Sequence, residues 1–261
     1  MLALEVYMRI GIQVSSLKKY LQTEADVAAT FGKLSAMGYT DVQIQWIGET
    51  VPYGFIAEKI AENGFTCWGT QDYYDIVRAR MDTELLMGKA YGSRYICLSG
   101  IPERFRSAEG VARMAEEMNA IAEKIGKEGY TLTFHPRVEE YRCIPGFDAV
   151  GYLMEKVPAM QLTLDCYHTE TAGVDTVAML QKYAGRTDIV HFKNRKDGSL
   201  CTLGEGEIDY APILAACHET GVKVVLAEQE AWQKDAFLCM KENRDYLVNT
   251  AEKLGIPPEN A

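Results

Sequence analysis

Ionisable side chains occur in four successive apolar segments in the second half of the sequence. These side chains are His135 in Thr131–His135, Asp165 in Gln161–Asp165, His191 in Asp188–Lys193 and Glu228 in Val222–Glu228. A buried charge is costly unless it is paired or bound to a metal, so four such groups need a common explanation. Histidine and carboxylate ligands together suit a divalent cation of intermediate hardness. The sequence therefore predicts one such ion, Mn²⁺ foremost, with Zn²⁺, Mg²⁺ or Co²⁺ as alternatives.

The alternation of residues along these segments predicts that the side chains point the same way. Thr131, Thr133 and His135 share one face of their segment, and Thr163 and Asp165 share one face of the next. Successive side chains of a strand point to opposite faces, so each histidine or carboxylate lies on the polar face. In a parallel barrel such faces converge where the strands end.

Each of these residues also has a structural interpretation. Asp165 could cap the helix that follows it, and His191 could be a hydrogen-bonded core residue. In the last segment Gln229 and Glu230 follow Glu228, so the assignment of the inward residue could be wrong by one position. The metal interpretation is preferred because the structural ones require four separate coincidences.

Further polar residues flank the four. His168, three residues beyond Asp165, is predicted to bind a substrate oxygen, or else to support Asp165 from outside the metal shell. Lys193 and Arg137 are predicted to stabilise negative charge on a substrate, although Lys193 could instead form a salt bridge at the rim. His218, the fourth histidine of the chain, falls in a predicted helix and is assigned no role.

Eight apolar segments alternate with helical ones. The candidate strands end at or near Val14, Ile47, Gln71, Ser99, His135, Asp165, Lys193 and Glu228. Thr23–Asp26 is a capping-box pattern at a helix start, and Ser107–Lys127 has apolar residues at three- and four-residue spacing. Eight strand–helix units without a linker predict an α/β fold, a single (β/α)8 TIM barrel over residues 1–261.

Two glycine-rich segments bear on the alternative of an open, doubly wound sheet. That fold normally carries G-x-G-x-x-G after its first strand, whereas the segment here is Gly11–Ser16, which lacks the pattern. The second segment, Leu203–Asp209, precedes a helix and is interpreted as a turn with Asp209 as the helix N-cap.

Composition limits the classes of partner. Lys and Arg number 27 against 37 Asp and Glu, and a net charge of −10 argues against nucleic acid. No apolar segment approaches the roughly 20 residues that span a bilayer, and Met1–Tyr7 lacks the basic residue of a secretory signal. The seven cysteines are scattered, which predicts free thiols and a cytoplasmic protein.

Several segments resemble the sugar phosphate isomerase/epimerase family of the xylose-isomerase-like barrel superfamily. They are Arg9–Leu17, Leu164–Gly173, His191–Asn194, Leu203–Asp209 and Ala227–Glu230. The resemblance covers essentially the whole chain. It implies a divalent metal held at the ends of strands five to eight, by His135, Asp165, His191 and Glu228.

One position departs from the family pattern. Ketose epimerases have a glutamate, one of their two acid/base groups, where this chain has His135. Another branch has a histidine-rich motif followed by a glutamate, and Glu140 could then supply the missing carboxylate as an alternative ligand to His135. The acid/base mechanism of the ketose epimerases, which uses two glutamates, is therefore not expected for this chain.

The function expected from these features is a metal-dependent isomerase, epimerase or lyase acting on a sugar-derived hydroxy-ketone. Glu228 or His135 would serve as general base. The partner would be a small carbohydrate-like substrate, and a homo-oligomer is compatible. The alternative is a non-catalytic sugar-binding barrel or a subunit that works only with a partner chain. A more remote one is an endonuclease IV-like nuclease, which shares the spacing of Asp165 and His168 but needs more histidines than four.

Overall fold

The computed structural model describes residues 8–256 and 258–259, so the prediction about Met1–Tyr7 falls outside it. The strands are β1 (Arg9–Gln13), β2 (Asp41–Ile44), β3 (Thr66–Tyr73), β4 (Tyr95–Ser99), β5 (Thr131–His135), β6 (Gln161–Asp165), β7 (Ile189–Phe192), β8 (Asn194–Lys196), β9 (Ser199–Cys201) and β10 (Val224–Ala227). Eight of them form a closed parallel barrel in the order β1-β10-β7-β6-β5-β4-β3-β2. The predicted TIM barrel is confirmed, and the carboxyl ends of its strands share one rim.

The second strand ends earlier than predicted. It was expected to extend to about Ile47, but β2 stops at Ile44. Two residues later Trp46 has a φ of 56°, a left-handed conformation that a strand cannot contain. The chain therefore leaves the sheet before Trp46, and this segment becomes part of the rim.

The helices cover the outside of the barrel. They are α1 (Glu24–Ala36), α2 (Tyr53–Glu62), α3 (Tyr74–Ala79), α4 (Met81–Tyr91), α5 (Ala108–Gly126), α6 (Ala149–Lys156), α7 (Cys166–Ala172), α8 (Thr176–Lys182), α9 (Ala211–Thr220) and α10 (Ala236–Lys253). The capping box at Thr23 is confirmed, because its side chain accepts a hydrogen bond from the Asp26 amide and the Asp26 carboxylate accepts one from the Thr23 amide. Helix α5 follows the predicted period and buries Val111, Met114 and Met118 against the sheet.

A small hairpin that the sequence analysis did not predict follows β7. Strands β8 and β9 pair antiparallel, and Asp197 and Gly198 connect them with φ values of 50° and 76°. The Asn194 amide at its base donates hydrogen bonds to the carbonyls of Leu203 and Ile208, so it holds the glycine-rich segment against the hairpin. The N-cap of helix α9 is Tyr210, so the prediction of Asp209 was wrong by one residue, although the Asp209 carboxylate accepts a hydrogen bond from the Ala211 amide.

The structure has the apolar core and the free cysteines that the sequence predicts. Apolar side chains from the sheet and the inner faces of the helices form the main core, including Phe134, Phe192 and Tyr210. All seven cysteines are free, and all but Cys143 are buried. Within the described part of the chain, none of the helices has the length and apolar character needed to cross a bilayer.

Candidate metal centre

The four predicted ligand residues meet at the rim of the barrel. His135 and Asp165 end β5 and β6, His191 lies in β7, and Glu228 directly follows β10. The register of β6 and β7 pairs Asp165 with His191. All four side chains are buried, and each offers one ligand atom within 4.8 Å of the others.

The geometry of this cluster fits a divalent cation. Among the described residues, His135 Nε2 and Asp165 Oδ2 have no hydrogen-bond partner, and they lie 3.7 Å apart. Buried polar atoms are rarely left in that state unless something else binds them. Ligands about 2.0–2.2 Å from a cation are separated by at most about 4.4 Å. A contraction of a few tenths of an ångström would therefore complete the coordination shell.

His191 is oriented by residues that the sequence analysis missed. Its Nε2 lies 2.7 Å from the side-chain oxygen Oε1 of Gln43, and its Nδ1 lies 3.0 Å from Glu228 Oε2. Because the Gln43 oxygen can only accept, it selects the tautomer with hydrogen on Nε2 and leaves the Nδ1 lone pair directed into the cluster. Gln13 in turn donates to the same oxygen at 3.2 Å. The sequence did contain a signal for these two residues, because Gln13 and Gln43 each place an amide at an inward position of one of the first two strands.

Asp165 caps a helix and also faces the cluster. Its Oδ1 accepts a hydrogen bond from the His168 amide at 3.1 Å and caps α7, while Oδ2 faces the cluster. Burial alone would raise the pKa of the Asp165 carboxyl, but His168 and Lys193 hold it well below its usual range. Burial lowers the pKa of His168 itself to about 4, so the lasting positive charge near Asp165 is that of Lys193.

Lys193 is buried at the centre of the acidic groups. Its Nζ lies 3.6 Å from Asp165 Oδ2, 3.4 Å from Glu228 Oε2 and 3.0 Å from Glu230 Oε1. Burial opposes its charge, but these carboxylates outweigh burial and raise the pKa of Lys193 above its ordinary value. Burial and the charge of Glu228 raise the pKa of Glu230 to about 7. Lys193 thus carries a permanent positive charge beside the predicted ligands.

Glu140 and Arg137 form a separate arrangement next to the site. The two Glu140 carboxylate oxygens accept hydrogen bonds from the backbone amides of Ile101 and Arg137, at 3.0 and 2.7 Å. The Arg137 guanidinium lies 3.6 Å from Glu140 and stacks over the ring of Tyr73. Both Glu140 oxygens are thus engaged in fixing the loop after β5, whereas His135 Nε2 is in the cluster.

A cavity of about 250 Å³ opens onto the cluster. Its wall includes His135 and Glu228 from the ligand set, together with the predicted substrate-binding residues His168, Lys193 and Arg137. Glu230, two residues beyond Glu228, also lines it and was not among the predicted site residues. The chemical surroundings are a proton acceptor, a lysine ammonium and the neutral imidazole of His168 in a confined space.

Three solved structures of similar fold cover nearly the whole chain. One, described as a sugar phosphate isomerase/epimerase from Parabacteroides distasonis, is 20% identical, with a TM-score of 0.78 over 92% of this chain and 97% of its own. An L-ribulose 3-epimerase is 18% identical, with a TM-score of 0.77 over 94% and 95%. The IolI protein, crystallised with a zinc atom, is 14% identical, with a TM-score of 0.75 over 94% and 99%.

These similarities to solved structures show the fold of the chain. A family model shows, in addition, to which family the chain belongs. No curated protein matches the chain significantly. The model described as xylose isomerase-like TIM barrel matches residues 33–247, which include every predicted ligand and most of the barrel. The chain therefore belongs to the xylose isomerase-like TIM barrel family.

Proposed function

We propose that the protein is a divalent-metal-dependent isomerase or epimerase, or a mechanistically related lyase, acting on a sugar-derived hydroxy-ketone. The observation that carries this proposal is the buried His135, Asp165, His191 and Glu228 cluster at the catalytic rim. The epimerase activity of one structural neighbour and the zinc atom of another support the same class. We take Mn²⁺ as the preferred ion because histidine and carboxylate ligands are mixed.

His135, Asp165, His191 and Glu228 would hold the cation. We prefer His135 to Glu140 as the remaining ligand because both Glu140 oxygens already accept backbone hydrogen bonds. When bound, the cation would polarise the substrate carbonyl and acidify the adjacent C–H bond. The protein's own contribution is a fixed ligand set held by strand ends.

Glu228 or His135 would remove the proton next to the carbonyl. Both line the cavity, so either can reach a substrate carbon there. Lys193 stays protonated and would stabilise the negative charge that develops on the substrate oxygen. His168 and Arg137, on the same wall, would donate hydrogen bonds to substrate oxygens. Return of the proton to the other face gives epimerisation, and return to the neighbouring carbon gives isomerisation.

The size and polarity of the cavity support a small carbohydrate as the partner. The alternative of a non-catalytic sugar-binding or partner-dependent barrel is disfavoured because a scaffold has no need for four inward ionisable strand ends. The free, mostly buried thiols support a reducing compartment such as the cytoplasm.

Proton exchange tests the reaction. The Mn²⁺-loaded protein, incubated with a panel of keto-sugars in D₂O, should introduce deuterium beside the carbonyl. Asp165→Ala should lose exchange and should lower Mn²⁺ affinity by more than the roughly 10–100-fold typical of an outer-shell partner, because it removes a proposed ligand. His218→Ala, on helix α9, should retain both. Absence of exchange across the panel, or cleavage of abasic DNA, would overturn the proposal in favour of the binding or nuclease alternative.

His135→Gln separates the two roles of the histidine. Loss of Mn²⁺ binding would identify His135 as a ligand, whereas retained binding with lost exchange would identify it as the base. A variant that keeps both would show that His135 has neither role, and the assignment at β5 would be wrong.

A further inference from the structure

A second and larger cavity adjoins the site. It has a volume of about 770 Å³ and lies at the carboxyl ends of β2 and β3, beside helix α4. Gln45, Trp46 and Gln71 line both this cavity and the smaller one at the cluster, so the two spaces meet at these side chains. Cavities of this volume are in the range that encloses a multi-ring organic ligand.

Two buried polar atoms in the wall are without a protein partner. Among the described residues, Gln71 Oε1 and the Tyr91 hydroxyl make no hydrogen bond, although both side chains are only 5% exposed. A polar atom in that position costs free energy unless a ligand or water satisfies it. Both residues line the cavity, so an acceptor and a hydroxyl without a protein partner lie directly behind its wall.

The charged residues that line this cavity are two basic and two acidic ones, Lys18, Arg80, Glu49 and Asp72. The Arg80 guanidinium donates to Asp72 Oδ2 at 2.9 Å and to Glu84 Oε1 at 2.7 Å. The Lys18 ammonium packs over the Trp46 ring, 4.9 Å from its centroid. A phosphate here would have to compete with two carboxylates for Arg80, so the balance of charge favours an uncharged ligand.

The rest of the wall suits a ring. Trp46, Tyr53 and Tyr91 supply aromatic surface, and Gln22 and Gln45 supply amides. The φ of 56° at Trp46 is unfavourable for a bulky residue, and such strain is found where surrounding contacts fix a functional side chain. Trp46 is fixed at the junction of the two cavities.

We propose that the larger cavity is a second subsite, which binds an uncharged ring attached to the sugar. The substrate would then be a keto-sugar glycoside rather than a free or phosphorylated monosaccharide. This inference rests on the proposed function for the identity of the first ring. The occupant of the second cavity is inferred from the walls of that cavity alone.

Binding measurements test the subsite without requiring turnover. The Mn²⁺-loaded protein is titrated calorimetrically with fructose, with fructose 6-phosphate and with four glucosyl-fructoses: turanose, maltulose, leucrose and isomaltulose. These disaccharides place the same second ring on four different oxygens, so the result does not depend on one linkage. We expect at least one to bind about 10-fold or more tightly than fructose and more tightly than the phosphate.

Variants then locate the second ring. Thr83 is exposed on α4 and lines the larger cavity but not the smaller one, so Thr83→Trp should fill the cavity. It should remove the advantage of the disaccharide and leave fructose binding unchanged. Tyr91→Phe should reduce that advantage by removing one hydroxyl. Leu86→Trp, at an exposed position on the same helix outside this cavity, is the control and should change neither affinity.

The possible failures are distinguishable. Equal binding of fructose and all four disaccharides, tighter binding of fructose 6-phosphate, or an unchanged disaccharide advantage in Thr83→Trp would overturn the subsite. If the Thr83→Trp effect is seen but no keto-sugar exchanges deuterium, the subsite stands and the proposed reaction is wrong.

Discussion

At the scale of single residues, we expect the tautomer of His191 to decide whether the proposed site binds a metal. The Gln43 oxygen is an acceptor, so it keeps hydrogen on Nε2 and frees Nδ1 for the cluster. Without that contact the ring could rotate or carry its hydrogen on Nδ1, toward Glu228. Partners of this kind typically contribute 10–100-fold to metal affinity.

Replacement of Gln43 therefore gives the first prediction at this scale. Gln43→Met keeps the approximate shape of the side chain but removes the acceptor. We expect Mn²⁺ affinity, measured by calorimetry, to fall about 10–100-fold. Gln161→Met, at the amino-terminal end of β6, removes a strand glutamine far from the rim and should leave the affinity unchanged. Unchanged affinity in Gln43→Met would show that other contacts orient His191.

The convergence of the four predicted ligand residues could be foreseen from the sequence, whereas the contact of Gln43 with His191 could not. His135 and Asp165 end apolar strands on the polar face, and a buried charge there demands a partner. A glutamine carries no such penalty once it is hydrogen-bonded, so Gln43 resembled any polar strand residue. Lys193 was identified, but its place among three carboxylates depends on the barrel closing.

At the scale of elements, the loop after β5 is held by Glu140. This buried carboxylate accepts hydrogen bonds from the amides of Ile101 and Arg137, and Arg106 lies 3.7 Å away. It therefore joins the loops that follow β4 and β5. Its role in the structure is that of a cap, although the sequence also allowed it as a metal ligand.

Glu140→Gln should accordingly reduce stability more than metal binding. An amide can accept through only one of its two terminal atoms, so one backbone donor would lose its partner. We expect a loss of about 1–3 kcal/mol in the free energy of unfolding, measured by urea denaturation, with Mn²⁺ affinity retained. Glu139→Gln is the matched control, because the side chain of Glu139 is adjacent in sequence but exposed. Loss of Mn²⁺ affinity at undiminished stability would instead make Glu140 the ligand.

The hairpin β8–β9 shows why short elements were missed. Three-residue strands are too brief for a reliable alternating pattern. The Asp197-Gly198 pair was nevertheless a turn signal, because both residues adopt positive φ values, which that dipeptide tolerates in tight hairpin turns. The hairpin matters for the site, since Leu200 lines the smaller cavity.

At the scale of the whole molecule, the two ends of the described chain meet at the base of the barrel. Met8 forms a parallel bridge with Pro258, and Arg9 contacts Glu259 at 2.6 Å. Strand β1 pairs with both β2 and β10 and so closes the ring. We propose on this basis that residues 1–261 form a single cooperative domain, as the uninterrupted strand–helix alternation predicts.

Closure of the ring depends on a glycine in β1. A Cβ added at Gly11 would lie 2.5 Å from the Asp41 carbonyl oxygen and 2.7 Å from Leu226 Cδ2. Because one of these atoms is backbone, strands β1 and β2 would have to separate to admit it. Gly11→Ala should therefore cost about 1–3 kcal/mol. If the barrel is one cooperative unit, far-UV circular dichroism and tryptophan fluorescence should shift to the same lower thermal midpoint.

The same substitution at a helical glycine is expected to have the opposite effect on stability. Gly32 lies in α1, is exposed, and a Cβ added there would meet no atom within 4 Å. Gly32→Ala should therefore stabilise the protein by about 0.5–1 kcal/mol, because alanine restricts the unfolded chain and favours the helix. Both variants change the same residue type, so opposite signs would trace the cost at Gly11 to strand packing. Two separate transitions in either variant would contradict the single domain, and a harmless Gly11→Ala would show that β1 and β2 can separate without opening the barrel.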